Sequence, residues 1–321
     1  MMTLQPPIHV PVLLQEVLDN LALPPAARIL DLTLGLGGHA EALLARADAE
    51  VQYLGVDRDP EARALAIQRL GHDSRLSILD CAYEDLWEDP RFLAWRAAQA
   101  PEGFDAILAD LGVSTLQLRT PERGFSFRDE GPLDMRMDPE HGLSARAWIA
   151  DQTDESLADV IYQYGEERAS RPIARAILRA LHEGRLDTTR DLSRAIYTVI
   201  PREPAKRKGQ SDPATRTFQA IRIAVNGELD RLAISLESAV SHLRPCGRLA
   251  VISFHSLEDR IVKQTLRRLA GIYDGPGRTA PVQLPKVLKL IHAGGIAPSE
   301  AEAAANPPSR SARLRVAERL P

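Results

Sequence analysis

An acid and a glycine-rich turn accompany a short apolar run near the start of the sequence, in residues 29–40, ILDLTLGLGGHA. Gly35, Gly37 and Ala40 match the pattern G-x-G-x-x-G/A, whose glycines let a backbone turn approach a pyrophosphate at a helix N-terminus. A second acid, Asp57, lies about twenty residues further on, where that pattern has an acid that binds a ribose. The match is weakly specific by itself, so binding of a dinucleotide such as NAD is one interpretation.

Asp31, inside the end of the first apolar run, favours a different nucleotide-like cofactor. A pyrophosphate needs backbone N–H groups and a helix dipole without a nearby carboxylate, whereas an acid suits a cationic or hydroxyl-bearing ligand. Gly37 and Gly38 would let such a ligand approach the backbone closely. An acid, glycines and a second acid are typical of class I S-adenosylmethionine-dependent methyltransferases. A third interpretation is structural, with Asp31 pairing locally and Asp57 beginning a turn.

A third acid ends the fourth apolar run, FDAILADLGV, beyond which substrate meets cofactor in a sheet of this kind. Asp110 is the candidate catalytic residue, because its carboxylate can accept a hydrogen bond from an acceptor amine or from the cofactor. Methyl transfer from a sulfonium needs little acid–base chemistry, and proximity and orientation supply most of the rate. The D/N-P-P-Y/F motif of many amino-group methyltransferases is absent at this point, so motif chemistry leaves the acceptor atom open. Capping of the following turn is the structural alternative for Asp110.

A parallel sheet is the element that would position these acids. Short runs rich in Val, Ile and Leu predict strands at 28–34, 51–57, 75–79 and 104–113, with helices at 38–47, 60–70 and 84–98 between them. This alternation gives right-handed crossovers and a parallel sheet. Ligands bind such a sheet beyond the carboxyl ends of its strands, where all three acids are placed.

The alternation is interrupted and then resumes. Residues 119–137 predict an irregular loop, and 144–200 carry only helical patterns. An apolar stripe from Phe218 to Val240 predicts one helix. Further predictions are strands at 246–254, 286–291 and 312–318 and a helix at 256–270. The sequence therefore predicts an α/β domain at 1–130 and 215–321 with an inserted all-helical domain at 131–214.

Composition limits the function classes. The 321 residues carry a net charge of −4 and no apolar run of the roughly 18–20 residues that cross a membrane. No signal peptide is evident, and Cys81 and Cys246 are expected to be small buried thiols and not a disulfide or metal ligands. The sequence thus predicts a cytosolic protein without a metal or membrane partner. Locally basic stretches at 201–222 and 309–319 suit a polyanionic partner, although basic runs are often solvated loops.

Seven motifs together resemble the ribosomal RNA small-subunit methyltransferase H family, also called MraW: GLGGHA, GVDRDP, DLGVSTLQL, ERGFSF, GPLDMRMD, ATRTFQAIRIAVN and SFHSLEDRIVK. The similarity extends from residue 9 to residue 319. It implies a class I methyltransferase sheet interrupted by a helical domain, with S-adenosylmethionine as cofactor. The cofactor contacts that it implies are Gly37, Gly38, His39, Asp57, Tyr83, Asp110 and Gln117.

The same resemblance implies N4-methylation of a cytidine in 16S ribosomal RNA, at position 1402 of the conventional bacterial numbering, in the decoding region near the P site. The helical domain would then recognise RNA. Phe125 and Phe127 could stack on bases, with Arg136 on phosphates and His255 lining the acceptor pocket. Alternatively, the rings pack the helical domain, and His255 pairs with a neighbouring acid. Other functions left open are a methyltransferase with a different acceptor, an NAD enzyme, and a non-catalytic RNA-binding assembly factor.

Overall fold

The computed structural model describes residues 10–202, 212–273, 284 and 286–321. The chain forms two compact units, one from Met1–Gly112 with Leu229–Pro321 and the other from Val113–Glu228. These boundaries lie at 112/113 and 228/229, whereas the sequence placed the domain boundaries at 130/131 and 214/215. Parts of the basic stretch 201–222 fall outside the described residues.

Seven strands form one mixed sheet in the first unit: β1 (Arg28–Asp31), β2 (Gln52–Asp57), β3 (Leu76–Asp80), β4 (Phe104–Asp110), β5 (Leu243–Ser253), β6 (Leu288–Leu290) and β7 (Arg313–Arg319). Their order is β3-β2-β1-β4-β5-β7-β6. The first five are parallel, as predicted, and β7 runs antiparallel between β5 and β6. The strand alternation predicted from the sequence is confirmed, and central strands such as β2 and β4 are apolar runs buried on both faces.

Thirteen α-helices lie in the described residues: α1 (Leu14–Leu21), α2 (Gly38–Arg46), α3 (Pro60–Leu70), α4 (Pro90–Gln99), α5 (Thr115–Arg119), α6 (Ala145–Ala150), α7 (Asp154–Gly165), α8 (Ser170–His182), α9 (Thr189–Tyr197), α10 (Ala214–Asn226), α11 (Leu232–His242), α12 (Ser256–Leu269) and α13 (Glu300–Ala305). The start of helix α3 is determined by two residues that can be recognised from the sequence. The Asp59 side chain accepts a hydrogen bond from the N–H of Glu61, and Pro60 occupies the first helical position.

The sheet is covered on both faces. Alternate residues of β1 belong to different hydrophobic clusters, Leu30 to one that includes Phe92 and Phe104, and Ile29 to one that includes Tyr53. Successive strand side chains point to opposite faces, so these clusters are the two layers of core that fix the strands. No helix among the described residues is long and apolar enough to cross a membrane.

The second unit contains helices α5 to α10 around its own core, which includes Ile161, Ile177, Leu192 and Phe218. Helix α10 corrects one prediction. The apolar stripe from Phe218 to Val240 is two helices, because α10 ends at Asn226 and is followed by Gly227, whose φ of 61° is left-handed and accessible to glycine. Periodicity alone does not show this break, since the spacing of apolar residues continues across it.

The cysteine prediction is half wrong. Cys81 is half-buried, whereas Cys246 is exposed and has a left-handed φ of 63°. Its position lies where the pairing of β5 with β4 is irregular. The apolar run that suggested burial at Cys246 becomes a buried strand only after this irregularity.

Candidate functional site

Three carboxylates end neighbouring strands of the first unit. Asp31 ends β1, Asp57 ends β2 and Asp110 ends β4. In the strand register, Asp31 lies opposite Gly55 on one side and Leu108 on the other. The strand order reverses between β1 and β4, and a parallel sheet binds ligands at such a point.

The carboxylate of Asp31 is held inside the protein. Only 1% of the residue is exposed. Its Oδ2 accepts a 2.8 Å hydrogen bond from the hydroxyl of Tyr53, and its Oδ1 accepts one of 3.1 Å from the N–H of Thr33. Burial raises the pKa of Asp31 to about 6, although the hydrogen bonds from Tyr53 and Thr33 oppose the rise. Asp31 is therefore a buried acid whose charge changes close to neutral pH.

Asp57 closes the glycine-rich turn from the neighbouring strand. Its Oδ2 accepts a 2.7 Å hydrogen bond from the N–H of Gly35, and its Oδ1 accepts one of 2.8 Å from the N–H of Asp59. Burial raises the pKa of Asp57. A carboxylate has about four acceptor positions, so two remain beyond those N–H groups. This is the number that two vicinal hydroxyls would use.

The glycines of the turn meet the protein's own side chains. Gly37 has a left-handed φ of 76° at the start of α2, and a Cβ there would lie 2.8 Å from Cδ1 of Leu70. A Cβ on Gly38 would lie 2.6 Å from Cγ of Pro11. The sequence explained both glycines by the approach of a ligand. Packing against Leu70 and Pro11 requires them as well.

Asp110 has one carboxylate oxygen that makes no hydrogen bond within the described residues, Oδ1. Its backbone N–H donates a 2.6 Å hydrogen bond to the hydroxyl oxygen of Thr33, which fixes the end of β4 beside the end of β1. Burial and the carboxylates of Asp31 and Glu258 raise the pKa of Asp110 well above its usual range. A buried oxygen in this state is an acceptor or donor for a group bound at the strand end.

His39 lies beside this carboxyl group in the first turn of α2. Its Nδ1 is 3.7 Å from Oδ2 of Asp110, and its Nε2 is 3.1 Å from the carbonyl oxygen of Val12. A carbonyl oxygen accepts only, so we assign the hydrogen of a neutral imidazole to Nε2. Nδ1 then faces Asp110 as an acceptor.

His255 follows β5 and caps the start of α12. Its Nδ1 accepts a 3.4 Å hydrogen bond from the N–H of Glu258, and its Nε2 lies 3.1 Å from Oε1 of the same residue. Glu258 is itself buried, and its Oε2 accepts from the N–H of Phe254. The contact with Glu258 is the one that the neighbouring-acid alternative expected, although Nε2 makes no hydrogen bond within the described residues. The role of His255 toward a substrate stays a prediction. Tyr83 comes three residues after β3 and is partly buried against the core.

The remaining predicted site residues belong to the second unit. The side chain of Gln117 completes the capping box of α5, since its Oε1 accepts a 3.0 Å hydrogen bond from the N–H of Ser114. Phe125 is 6% exposed, and Phe127 packs edge-to-face on Phe218 with ring centroids 5.0 Å apart.

Arg136, also in the second unit, forms a two-point ion pair with Asp134, with both N–O distances 2.8 Å. Binding of bases by Phe125 and Phe127 and of phosphates by Arg136 stays a prediction. It requires that these side chains give up their present contacts or bind RNA in addition to them.

Sequence reasoning missed Thr33 and Tyr53. Thr33 contacts the strand-end acids of both β1 and β4, and Tyr53 contacts Asp31 from β2. The available signal was the placement of Thr33 two residues after Asp31, where Ser and Thr commonly bond to nearby backbone. Tyr53 gave no signal, because an aromatic residue in a buried strand is typical of a core position.

The sequence profile of the MraW methylase family matches residues 7–320. A protein named ribosomal RNA small subunit methyltransferase H from Xanthomonas oryzae pv. oryzae is 48% identical over 319 residues, which are 98% of this chain and 90% of the relative. The protein of that name from Stenotrophomonas maltophilia is 47% identical over 316 residues, 98% of this chain and 94% of the relative.

Similarity to solved structures is more distant. An rRNA methylase from Streptococcus thermophilus aligns over 96% of this chain and 92% of that chain, with 12% identity and a TM-score of 0.38. The mixed sheet, its strand-end acids and the helical unit inserted in the chain form a class I, Rossmann-like methyltransferase fold. With the profile match across its length, this chain belongs to the MraW methylase family.

Proposed function

We propose that this protein transfers a methyl group from S-adenosylmethionine to N4 of a cytidine in 16S ribosomal RNA, at position 1402 in the decoding region near the P site. The substrate would be 16S ribosomal RNA, naked or assembled in the small ribosomal subunit, in the cytoplasm. Family membership supports the reaction class, and the names of relatives at 47–48% identity support ribosomal RNA as the substrate.

The strand-end acids fit the proposed cofactor. Asp57 retains two acceptor positions after its bonds to Gly35 and Asp59, as the two ribose hydroxyls require. Tyr83 would stack on the adenine, and Gly37, Gly38 and His39 would contact the cofactor along the turn. Bound there, S-adenosylmethionine supplies an electrophilic methyl group on a sulfonium. An acid at Asp31 is compatible with a cationic ligand and opposes a pyrophosphate, which disfavours NAD.

The observation that carries the proposal is the free oxygen of Asp110. Oδ1 is buried, at the end of β4, and makes no hydrogen bond within the part of the chain that the structure describes. An exocyclic amine can donate to it, and this contact would orient the nitrogen and take up positive charge as the new N–C bond forms. Nδ1 of His39, an acceptor 3.7 Å from Oδ2, would favour the protonated form of Asp110 once it has taken up a proton. An aromatic amine needs this help more than an aliphatic one because its lone pair is delocalised.

The test is methylation of small subunits that lack this modification. They are incubated with the protein and methyl-labelled S-adenosylmethionine, and the digested nucleosides are identified by mass spectrometry. Label in N4-methylcytidine supports donor, acceptor and reaction together. Label in another nucleoside would show a different acceptor. Tight donor binding without label would favour a non-catalytic assembly factor, and binding of NAD in place of the donor would refute the cofactor assignment.

A further inference from the structure

Helix α8 of the second unit carries a row of arginines, Arg171, Arg175 and Arg179, which we call the α8 stripe. All three are exposed. They lie four residues apart, so they share one face of the helix at steps of about 6 Å. The opposite face, with Ile173, Ala174, Ile177 and Leu178, is buried in the core of the unit. The stripe therefore faces solvent.

The α8 stripe differs in its contacts from three other exposed arginines of the same unit. Arg185, Arg190 and Arg194 each form an ion pair, with Glu183, Glu130 and Asp191 respectively. Within residues 10–202, 212–273, 284 and 286–321, no hydrogen bond or ion pair of the side chains of the α8 stripe is found. Three guanidinium groups with their full set of donors thus stand in one line.

Helix stability does not account for this arrangement. Like charges four residues apart repel, and a cation in the first turn opposes the helix dipole. Arg171 stands in that first turn, which contains no acid and has no side-chain cap. The nearby carboxylate of Glu167 is already engaged, accepting from the N–H of Ala169 and lying 3.7 Å from Arg216. The row persists against local preferences, so an external anion is the group that it fits.

We propose that the α8 stripe binds the phosphate backbone of ribosomal RNA. Guanidinium groups bind phosphates at two points, and a backbone offers anions in series along a line. No large apolar residue of α8 is exposed. A protein partner would be expected to use an apolar centre, which phosphate contacts do not need. The inference rests on the proposed function for the identity of the RNA, and it adds the surface that holds it.

The experiment compares two triple variants with equal charge change. Arg171→Gln, Arg175→Gln and Arg179→Gln remove the stripe, while Arg185→Gln, Arg190→Gln and Arg194→Gln remove three exposed but paired arginines of the same unit. Glutamine keeps a comparable helix propensity. Binding of a fluorescent transcript of the decoding region is measured between roughly 50 and 200 mM salt, the range over which phosphate contacts dominate the change in affinity.

Loss of three phosphate contacts should reduce the magnitude of the negative slope of log affinity against log salt by about 2. It should also weaken binding on the order of 10- to 100-fold. The control triple should change affinity less than about 3-fold, since its arginines are engaged by acids of the same unit. Equal effects of both triples would overturn the proposal. The proposal would also be overturned if the stripe triple lost binding to a polyglutamate peptide while its RNA binding stayed unchanged.

A single substitution separates RNA binding from folding. Arg171→Glu places an acid in the first turn of α8, which should raise the thermal midpoint while RNA affinity falls. If the variant is more stable but its RNA affinity is unchanged, the proposal that the α8 stripe binds RNA is refuted.

The proposed surface and the proposed function can fail separately. If the stripe triple loses RNA affinity but the wild-type protein yields no methylated cytidine, the surface is supported and the proposed function fails. If the stripe triple methylates cytidine and binds RNA as well as the wild type does, the surface is refuted and the proposed function is supported.

Discussion

The hydroxyl of Tyr53 donates a 2.8 Å hydrogen bond to Oδ2 of Asp31, and both residues are buried. The donor comes from β2 and the acceptor from β1, so the bond joins two central strands. It stabilises the ionised form of Asp31 in a setting where burial disfavours that form. The acid at the first strand end is consequently sensitive to pH near neutrality.

Asp31 should make the first unit less stable as pH rises. Its folded-state pKa of about 6 exceeds the unfolded value of 3.8, so its contribution is present below pH 3.8 and lost as pH rises through 6. The loss is about 3 kcal/mol, from about 1.4 kcal/mol per pKa unit. Denaturant unfolding of wild type and Asp31→Asn from about pH 3 to 7, a window that spans both values, should show this change in their difference. A pH-independent difference would contradict it, and Tyr53→Phe should move the window to higher pH.

Asp57→Ala should weaken binding of S-adenosylmethionine. Two hydrogen bonds to a charged group are lost, each worth about 1.5–3 kcal/mol, so the Kd measured by calorimetry should rise at least about 100-fold. Asp57→Asn keeps one acceptor oxygen, so its Kd should lie between those of the wild type and Asp57→Ala. A matched control is Asp105→Asn at the opposite end of β4, where the carboxylate accepts from the N–H of Arg28. Unchanged donor affinity in Asp57→Ala would remove the ribose assignment.

Asp110→Asn should lower kcat by about 10²- to 10⁴-fold if the carboxylate orients or deprotonates the acceptor amine. Because the pKa of Asp110 is raised, wild-type kcat should fall as the pH is lowered and the carboxylate is protonated, and the variant profile should be flat. Single-turnover methylation across pH measures both. A higher donor Kd with kcat unchanged would instead make Asp110 a cofactor ligand.

Gly38→Ala should destabilise the protein through Pro11. The new Cβ would lie 2.6 Å from Cγ of the proline ring, an overlap that typically costs about 1–3 kcal/mol. Pro11→Ala removes that ring atom, and the double variant should recover the loss. Unfolding free energies of the four proteins form a double-mutant cycle, in which additivity would show that the two residues do not interact.

The central strands were predictable because they are buried apolar runs, and Asp59 with Pro60 set the start of α3 as expected. The division of the long apolar stripe into α10 and α11 was not predictable from spacing, since one left-handed glycine, Gly227, ends the first helix. The antiparallel pairing of β7 with β5 and β6 was also not predictable from the sequence. Local sequence encodes a strand, and long-range pairing decides its neighbours.

The part of the site that could be predicted from the sequence is the set of acidic residues at the ends of strands. Asp31, Asp57 and Asp110 all stand at strand ends in the first unit. Their partners Thr33 and Tyr53 were not foreseen, because a residue that holds an acid through one hydrogen bond has no pattern of its own. The cofactor and substrate roles of individual residues stay predictions that the variants above test.

The antiparallel strand β7 also governs the order in which the protein can fold. Arg313–Arg319 inserts between β5 and β6, and the sheet draws on chain from both sides of the second unit. Synthesis delivers the amino-terminal residues first, so the contiguous second unit can form while β5 still has an open edge. An open edge of a buried strand is a site for aggregation. The hazard ends only when the final strand arrives, which makes pairing of β5 with β7 the late step in reaching the native sheet.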